Sequence, residues 1–269
     1  MTTKIIHASA GMAAVGAGDR GLNYGDGLFE TLRIHAAAPV WWDAHWARLV
    51  RGADALGIPR PDAGVAYDAA RVACSHRPRG VLKLVLTRGE GGRGYAPPAD
   101  AAPTLIVTVH DAPARPPELL AVRWCDTRLA VQPRLAGHKH LNRLEQVLAR
   151  AEWRDDGIFE GLMLDTEGRV VSATAANLFL RRDGRWLTPP VHRCGVAGVM
   201  RAWCLGALGA GEADLVPADI EAAEAFFLCN AVRGILPVHR LGTRRWPADA
   251  EVAALRRRLA AAEPAYATE

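Results

Sequence analysis

The chain has 269 residues, of which 50% are hydrophobic and 23% are charged, and this balance is typical of a globular enzyme with one large or two modest domains. The formal net charge of +4 would suit nucleic acid or an anionic metabolite, but the basic residues are scattered rather than concentrated in a long block. The first residues lack the apolar core of a signal peptide, and no apolar run reaches membrane-spanning length. Five widely spaced cysteines without a CxxC pair indicate a reducing compartment, so we expect a cytoplasmic protein.

The first part of the chain mixes helix and strand. Apolar residues recur at helical spacing in the segment 39–58, which predicts an amphipathic helix. Two β-rich runs, 81–89 and 103–111, are bounded by glycine and proline and are predicted to be strands.

A proline-rich segment follows these strands. It has three prolines in 111–120 and no helical or strand period. Since proline fixes φ and disfavours helix in the preceding residue, this segment is a good candidate for a linker. We therefore predict a smaller N-terminal α/β domain at 1–112, a linker at 113–118 and a larger C-terminal domain at 119–269.

Strands in the second part come in clusters, with helices between the clusters. The strand-like segments are "LAVRWCD", "GLMLD", "RVVSAT", "NLFLRRDGRWLTP" and "AEAFFLCNAV". Within the fourth, Asp183 and Gly184 are placed for a tight hairpin turn. A helix is predicted after Lys139, with these apolar residues on one face: Leu141, Leu144, Val147, Leu148 and Ala151. Clustered strands favour an α+β fold over repeated βαβ units.

Lysine is scarce in this chain, which has three lysines among 33 basic residues. One of them, Lys139, lies between His138 and His140. A lysine amine can lose its proton near neutral pH and attack a carbonyl, which arginine cannot do, so Lys139 is a candidate nucleophile. The alternatives are a solvent-facing lysine and a metal site at the two histidines. A metal needs three or four ligands, and no other His or Cys pair has ligand spacing, so we expect no metal.

Two glycine-containing segments have the character of anion-binding sites. In 194–203, two glycines lead into a helical pattern, and the N–H groups at such a helix start bind phosphates; an ordinary loop-to-helix junction is the alternative. In 87–98, a glycine-rich loop contains Arg93 and Tyr95, which suit a carboxylate-bearing substrate. The same loop also resembles an RGG-type RNA-binding segment, and a flexible hairpin is the plain structural alternative.

Several motifs occur together in one order between residues 23 and 238. They are "NYGDGLFETLRI", "HWARL", "LTRGEGGRGY", "LAGHKHLNRLEQVLAR", "SATAANLFL", "TPPVHRCGVAGVMR" and "FFLCNAVRGILPV". This order resembles the fold-type IV pyridoxal-phosphate enzymes, the class of branched-chain and D-amino-acid aminotransferases and aminodeoxychorismate lyases. The segments at Lys139 and in the glycine loop resemble the lyase branch.

The resemblance implies a two-domain α+β fold of the D-amino-acid aminotransferase type, with pyridoxal 5′-phosphate at the domain interface, and a homodimer whose partner loop helps to close the site. It implies that Lys139, in the C-terminal domain, is the Schiff-base lysine and that Arg48 binds the cofactor phosphate. The other residues implied to bind the cofactor are Ser172, Val199, Met200, Asn230, Ala231 and Val232. Arg93 and Tyr95 are implied to approach a small-molecule substrate, with no nucleic acid and no membrane as partners.

One position departs from the family pattern. The family has a glutamate that pairs with the pyridine nitrogen, five residues before the asparagine of "ANLF", and here that residue is Ser172. A hydroxyl can hydrogen-bond this nitrogen but cannot hold a proton there by charge. The cofactor is then a weaker electron sink, which favours elimination of pyruvate from aminodeoxychorismate, giving p-aminobenzoate for folate synthesis. The alternative is a D-amino-acid or branched-chain aminotransferase on the same fold.

Overall fold

The computed structural model describes residues 3–7 and 14–267, and their contacts divide the chain into two compact units. The first unit extends to Pro113 and includes the segment His138–Asn142. The second comprises Ala114–Gly137 and the chain from Arg143 onwards. Each unit is built on one sheet with helices, so the architecture is α+β.

The described part of the first unit contains five strands and three helices. They are β1 (Lys4–His7), α1 (Arg20–Tyr24), β2 (Gly27–His35), β3 (Ala38–Pro39), α2 (Trp42–Leu56), α3 (Ala63–Cys74), β4 (Arg79–Thr87) and β5 (Thr104–His110). The sheet order is β1-β5-β4-β2-β3, in which β2, β4 and β5 are antiparallel neighbours and β1 is parallel to β5. The helix predicted in 39–58 and the two strands predicted in 81–89 and 103–111 are confirmed as α2, β4 and β5.

Strand β2 has one buried face because its residues alternate between the two sides of the sheet. Leu28, Leu32 and Ile34 lie on this face and belong to one apolar cluster with Leu49 and Ala53 of α2. Burial of these side chains supplies most of the stabilisation that holds α2 against the sheet. A polar residue at an even-numbered position of β2 lies on the same face and is therefore buried together with these side chains.

The second unit contains nine strands and four α-helices in its described part. They are β6 (Leu120–Trp124), α4 (Leu144–Ala151), β7 (Glu160–Leu164), β8 (Val170–Ala173), β9 (Asn177–Arg182), β10 (Arg185–Thr188), α5 (Val199–Leu208), β11 (Gly211–Glu212), α6 (Pro217–Ala222), β12 (Ala225–Asn230), β13 (Gly234–Leu241), β14 (Arg244–Arg245) and α7 (Ala250–Ala262), followed by a 3₁₀ helix (Pro264–Tyr266). The sheet order is β11-β10-β9-β12-β13-β6-β7-β8, with β14 paired to β13.

The tight turn predicted at Asp183 and Gly184 is confirmed as the connection between β9 and β10. Both residues have positive φ, 50° and 69°, as a two-residue hairpin of the type I′ class requires. Behind this hairpin, the rings of Phe179 and Phe227 stack at 5.1 Å in the core of the sheet.

The segment that carries Lys139 differs from its predicted surroundings in two ways. Helix α4 begins only at Leu144, and the backbone around Lys139 and Leu141 before it is hydrogen-bonded to β2. The segment His138–Asn142 therefore packs with the first unit, whereas the sequence assigns Lys139 to the C-terminal domain. On α4, the apolar stripe of Leu144, Val147 and Leu148 is 60–76% exposed.

Candidate active site

Lys139 is held on the first unit by backbone hydrogen bonds on both sides. The N–H of Phe29 donates to the carbonyl of Lys139 at 2.9 Å, and the N–H of Leu141 donates to the carbonyl of Gly27 at 3.0 Å. The half-buried Lys139 side chain places Nζ 4.1 Å from the centroid of the Phe29 ring. The position of this amine is therefore set by strand β2, through a cation–π contact and a short antiparallel pairing.

Arg48, the predicted phosphate-binding arginine, lies on α2 in a buried ion pair with Glu30. Its Nε donates to Oε1 of Glu30 at 2.8 Å and its Nη2 donates to Oε2 at 2.5 Å. The same Oε2 lies 2.6 Å from Nδ1 of His45. His45 and Arg48 are three residues apart on a helix, so both reach one carboxylate on the neighbouring strand.

The charges of this cluster are strongly perturbed by burial. Burial alone would raise the pKa of Glu30, but the hydrogen bonds and positive charge of Arg48, together with His45, lower it to about 2. Burial lowers the pKa of His45, and the nearby charges of Arg48 and Lys139 lower it further, against the opposing effect of Glu30. These effects favour the ionised form of Glu30 and the neutral form of His45.

Sequence reasoning missed Glu30 and His45, although one signal was available. Glu30 stands in the register of Leu28 and Leu32, where an apolar residue is expected. A carboxylate at a buried register needs a cationic partner, and the nearby helix contains arginine and histidine at helical spacing.

In the second unit, the predicted phosphate-binding residues Val199 and Met200 begin helix α5. Gly198 is the N-cap and provides no side chain to cap the helix. The first N–H groups of a helix have no acceptor within the helix, so the amides of Val199 and Met200 are suited to an anion. The helix start is supported by Asn177, whose Nδ2 donates to the carbonyl of Val196 at 3.0 Å.

The loop before α5 is also bonded to Gly137. The N–H of Gly137 donates to the carbonyl of Gly195, and the N–H of Ala197 donates to the carbonyl of Gly137, both at 3.0 Å. Gly137 has φ of +78°, a conformation that glycine adopts without strain. These bonds fix the approach of the chain to the helix start.

The predicted turn at Asn230, Ala231 and Val232 is internally braced. The Oδ1 of Asn230 accepts from the N–H of Val232 at 3.1 Å and from that of Arg233 at 2.8 Å, while its Nδ2 donates to Ala175. The Asn230 side chain therefore shapes the turn.

Ser172, the predicted partner of the pyridine nitrogen, lies on β8 directly opposite Met163 of β7. It is half-buried, and its hydroxyl makes no hydrogen bond to any other residue within the described ranges 3–7 and 14–267. A carboxylate on the same strand pair, Glu160, lies an odd number of positions from Met163 and so faces the other side of the sheet. Glu160 instead accepts hydrogen bonds from the Gly161 N–H and the Thr174 hydroxyl. The Glu160 carboxylate is therefore engaged by neighbouring residues of the chain.

The predicted substrate residues Arg93 and Tyr95 lie in an exposed loop of the first unit, and the side chain of Tyr95 is 86% exposed. The loop is ordered by Arg20, which sequence reasoning missed. The guanidinium of Arg20 donates to the carbonyls of Gly94 at 3.1 Å and Tyr95 at 2.9 Å. The Tyr24 hydroxyl accepts from the Gly94 N–H at 3.2 Å, and its ring packs edge-on against Tyr95.

The donor groups of each unit fit the chemistry of pyridoxal phosphate. The first unit has an amine suited to the aldehyde, at Lys139, and a guanidinium suited to the phosphate, at Arg48. It also has a buried imidazole nitrogen, Nε2 of His45, that makes no hydrogen bond to the described residues. The second unit has an uncapped helix start at Val199 and a hydroxyl at Ser172 suited to a ring nitrogen.

Comparison with known proteins connects this geometry with one family. Residues 27–241 match the family described as Amino-transferase class IV. The aminodeoxychorismate lyase of Vibrio harveyi is 35% identical over 90% of this chain and 93% of its own length. The crystal structure of 4-amino-4-deoxychorismate lyase from Pseudomonas aeruginosa is 45% identical, with a TM-score of 0.88 over 93% of this chain and 96% of that chain.

More distant structures share the fold. The branched-chain amino acid aminotransferase of Escherichia coli is 21% identical, with a TM-score of 0.79 over 91% of this chain and 88% of that chain. Among the helices described here, none combines the length and the apolar character needed to cross a bilayer. No group of three or more His, Cys, Asp or Glu side chains within the described ranges is placed to hold a metal ion.

Proposed function

Because the chain belongs to the class IV aminotransferase family, we propose that it is a pyridoxal 5′-phosphate-dependent lyase that eliminates pyruvate from 4-amino-4-deoxychorismate and releases p-aminobenzoate for folate synthesis. The observation that carries the proposal is the similarity to two such lyases along nearly the whole chain. The aminotransferase of the same fold is less similar.

Lys139 has two roles in the proposed reaction. Its amine would hold the cofactor, which would supply an electron sink for the substrate carbon that bears the amine. In its free form, the Lys139 amine removes the hydrogen from this ring carbon as a general base. Lys139 then returns the proton to the departing enolpyruvyl group, which leaves as pyruvate. The contact with Phe29 keeps the amine in place between these steps.

Cofactor binding is divided among several groups of this chain. Arg48 and the backbone N–H groups of Val199 and Met200 are proposed to bind the phosphate. The turn at Asn230–Val232 is proposed to contribute through the backbone N–H of Ala231, since the N–H of Val232 already donates to the Asn230 side chain.

The choice between elimination and transamination is proposed to depend on Ser172. Its hydroxyl can hydrogen-bond the pyridine nitrogen, and Glu160 on the neighbouring strand faces the other side of the sheet. Without a carboxylate there, the cofactor stabilises a carbanion less well, which handicaps transamination. Elimination from aminodeoxychorismate forms an aromatic ring, and the stability of this product compensates for the weaker electron sink.

The substrate has two carboxylates, which suit an arginine-containing loop. Arg93 and Tyr95 are proposed to contact it from the loop that Arg20 orders. The plain alternative, a flexible hairpin, does not account for three main-chain carbonyls bonded to one buried guanidinium.

A direct assay tests the proposed reaction. The purified enzyme is incubated with aminodeoxychorismate while p-aminobenzoate and pyruvate are followed, and equal amounts of both products are expected. A parallel incubation with D-alanine or a branched-chain amino acid and a keto acid measures amino transfer. Amino transfer faster than p-aminobenzoate release would favour the aminotransferase alternative and contradict the lyase.

We also propose that the enzyme is a cytoplasmic homodimer. The exposed stripe of Leu144, Val147 and Leu148 on α4 supports a self-association surface, because adjacent large apolar side chains are costly to leave in water. All five cysteines are buried thiols, in keeping with a reducing compartment. Sedimentation at micromolar concentration tests the assembly, and a monomer would contradict it.

A further inference from the structure

Glu30, His45 and Arg48 form a buried cluster in the first unit, here called the Glu30 cluster. The exposed fractions of the three side chains are 1%, 1% and 7%. One carboxylate oxygen, Oε2 of Glu30, accepts from both Arg48 and His45. The three groups are therefore held as one unit, in which none can shift without breaking a charge-assisted hydrogen bond.

Within the described ranges, one ring nitrogen of the Glu30 cluster makes no hydrogen bond. With Nδ1 of His45 bonded to Glu30, the other ring nitrogen, Nε2, is buried and makes no hydrogen bond within the described part of the chain. A carboxylate at Nδ1 selects the tautomer with hydrogen on Nδ1, which leaves a lone pair on Nε2. A buried nitrogen with a lone pair needs a hydrogen-bond donor as its partner. Alternatively, the nitrogen takes up a proton and donates it to a hydrogen-bond acceptor.

The charge balance of the Glu30 cluster is unsuited to an anion as it stands. With His45 in the neutral form that burial favours, the negative charge of Glu30 and the positive charge of Arg48 cancel, and the cluster is electrically neutral. A phosphate monoester brings close to two negative charges at neutral pH. Glu30 cancels the positive charge of Arg48. Protonation of His45 would give the cluster a net positive charge again.

We propose that His45 is a second phosphate-binding side chain, which takes up one proton at Nε2 when the cofactor phosphate binds and donates that hydrogen to a phosphate oxygen. The inference rests on the proposed function, in particular on Arg48 as a phosphate ligand. The proton comes from solvent, the hydrogen on Nδ1 stays on the ring and remains hydrogen-bonded to Glu30, and no other bond changes. Glu30 is then a positioning residue that orients both cations.

The charged groups around His45 explain why its imidazole is protonated only when the phosphate binds. Glu30 on β2 favours the imidazolium, whereas Arg48 on α2 and Lys139 on the segment beside β2 disfavour it, and burial adds to their effect. Phosphate binding adds an anion beside the imidazole, and this change favours the proton on His45.

Titration calorimetry of the full-length apoprotein with pyridoxine 5′-phosphate tests the proposal. This probe has the ring and the phosphate but an alcohol in place of the aldehyde, so it cannot react with Lys139. Titrations at pH 7.5 in two buffers of different ionisation enthalpy give the number of protons bound with the ligand. Because the ring of the probe also titrates, the informative quantity is the difference between the wild type and a variant at residue 45.

Two variants make the comparison specific. His45→Asn keeps an amide donor near the Nδ1 position, for Glu30, and removes the Nε2 position. We expect the wild type to take up about one proton more than this variant and to bind the probe about tenfold more tightly. His45→Gln keeps a neutral donor near Nε2, and we expect it to bind the probe with no extra proton. Thermal unfolding shows that each variant is folded.

The outcomes separate the two proposals. Equal proton uptake in the wild type and the folded variants overturns the role of His45 and leaves the lyase proposal intact. If neither pyridoxal 5′-phosphate nor the probe binds the wild type, the proposed function is overturned, and this inference with it. Should His45→Asn fail to fold, the comparison with His45→Gln decides.

Discussion

The side-chain oxygen of Asn177 occupies the space in which a side chain at residue 198 would begin. A Cβ atom on Gly198 would lie 2.1 Å from Oδ1 of Asn177, far inside van der Waals contact. Asn177 cannot move away freely, because it is buried and its Nδ2 is bonded to the carbonyl of Val196. A glycine at the N-cap of α5 is therefore required for Asn177 to support the helix start.

Substitution of this glycine tests the phosphate-binding role of α5. We expect Gly198→Ala to displace the helix start and to weaken binding of pyridoxal 5′-phosphate by about tenfold or more, which corresponds to at least about 1.4 kcal/mol. Gly206→Ala is a matched control on the same helix, since nothing lies within 4 Å of its added Cβ. The control should stabilise the protein slightly, by about 0.5–1 kcal/mol, and leave cofactor binding unchanged. Unaltered affinity in Gly198→Ala would refute the assignment.

Lys139 can be tested against a second lysine near the same ring. The Nζ of Lys83 lies 5.7 Å from the Phe29 centroid, compared with 4.1 Å for Lys139. We expect Lys139→Ala to abolish turnover and the near-ultraviolet/visible band of the bound cofactor, and Lys83→Ala to retain both. Borohydride reduction and mass spectrometry should locate the cofactor on residue 139. An adduct on any other residue contradicts the proposed mechanism.

Ser172 can be tested by restoring the family residue. We expect Ser172→Glu to raise amino transfer from D-alanine at least about tenfold relative to p-aminobenzoate release, because a carboxylate holds the proton on the pyridine nitrogen. Ser172→Ala is the control: it removes the hydroxyl without adding charge and should not raise amino transfer. The ratio of the two rates is the measurement. A ratio that is the same in the wild type and in Ser172→Glu would show that this position does not control the reaction.

The buried pair of Glu30 and Arg48 predicts a pH-dependent contribution to stability. The pKa of Glu30 in the folded protein is about 2, below its ordinary value of 4.5. A carboxylate with a lowered pKa stabilises the fold above about pH 4.5, and this stabilisation is lost as the pH falls from about 4.5 towards about 2. Since Glu30→Gln leaves a buried guanidinium without its counter-ion, it should cost about 3 kcal/mol at pH 7.

Urea denaturation at several pH values checks this expectation. The difference in the free energy of unfolding between the wild type and Glu30→Gln should shrink as the pH falls below about 4.5. The exposed pair of Asp54 and Arg60 provides the comparison, and Asp54→Asn should change stability by less than about 1 kcal/mol. A difference for Glu30→Gln that does not depend on pH would show that the Glu30 carboxylate is not ionised in the folded protein.

The family and most of the regular structure could be predicted from the sequence. Alternating and helical patterns of apolar residues identified α2, β4, β5 and β12. Each pattern reflects the backbone geometry of its own segment, so it can be recognised without knowing the rest of the fold. The turn at Asp183 and Gly184 was predictable for the same reason. The family followed from several motifs in one order, and the match over residues 27–241 confirms it.

The sequence by itself thus determined which family this chain joins and which lysine stands out within it. Only the tertiary structure decided what surrounds the residues of the site. Glu30 and His45 are joined to Arg48 across a strand and a helix, Lys139 lies over Phe29, and the apolar stripe of α4 is exposed. Such pairings depend on which segments pack together in space. The periodicity of apolar residues indicates the backbone conformation of one segment. It does not indicate which other segment packs against it.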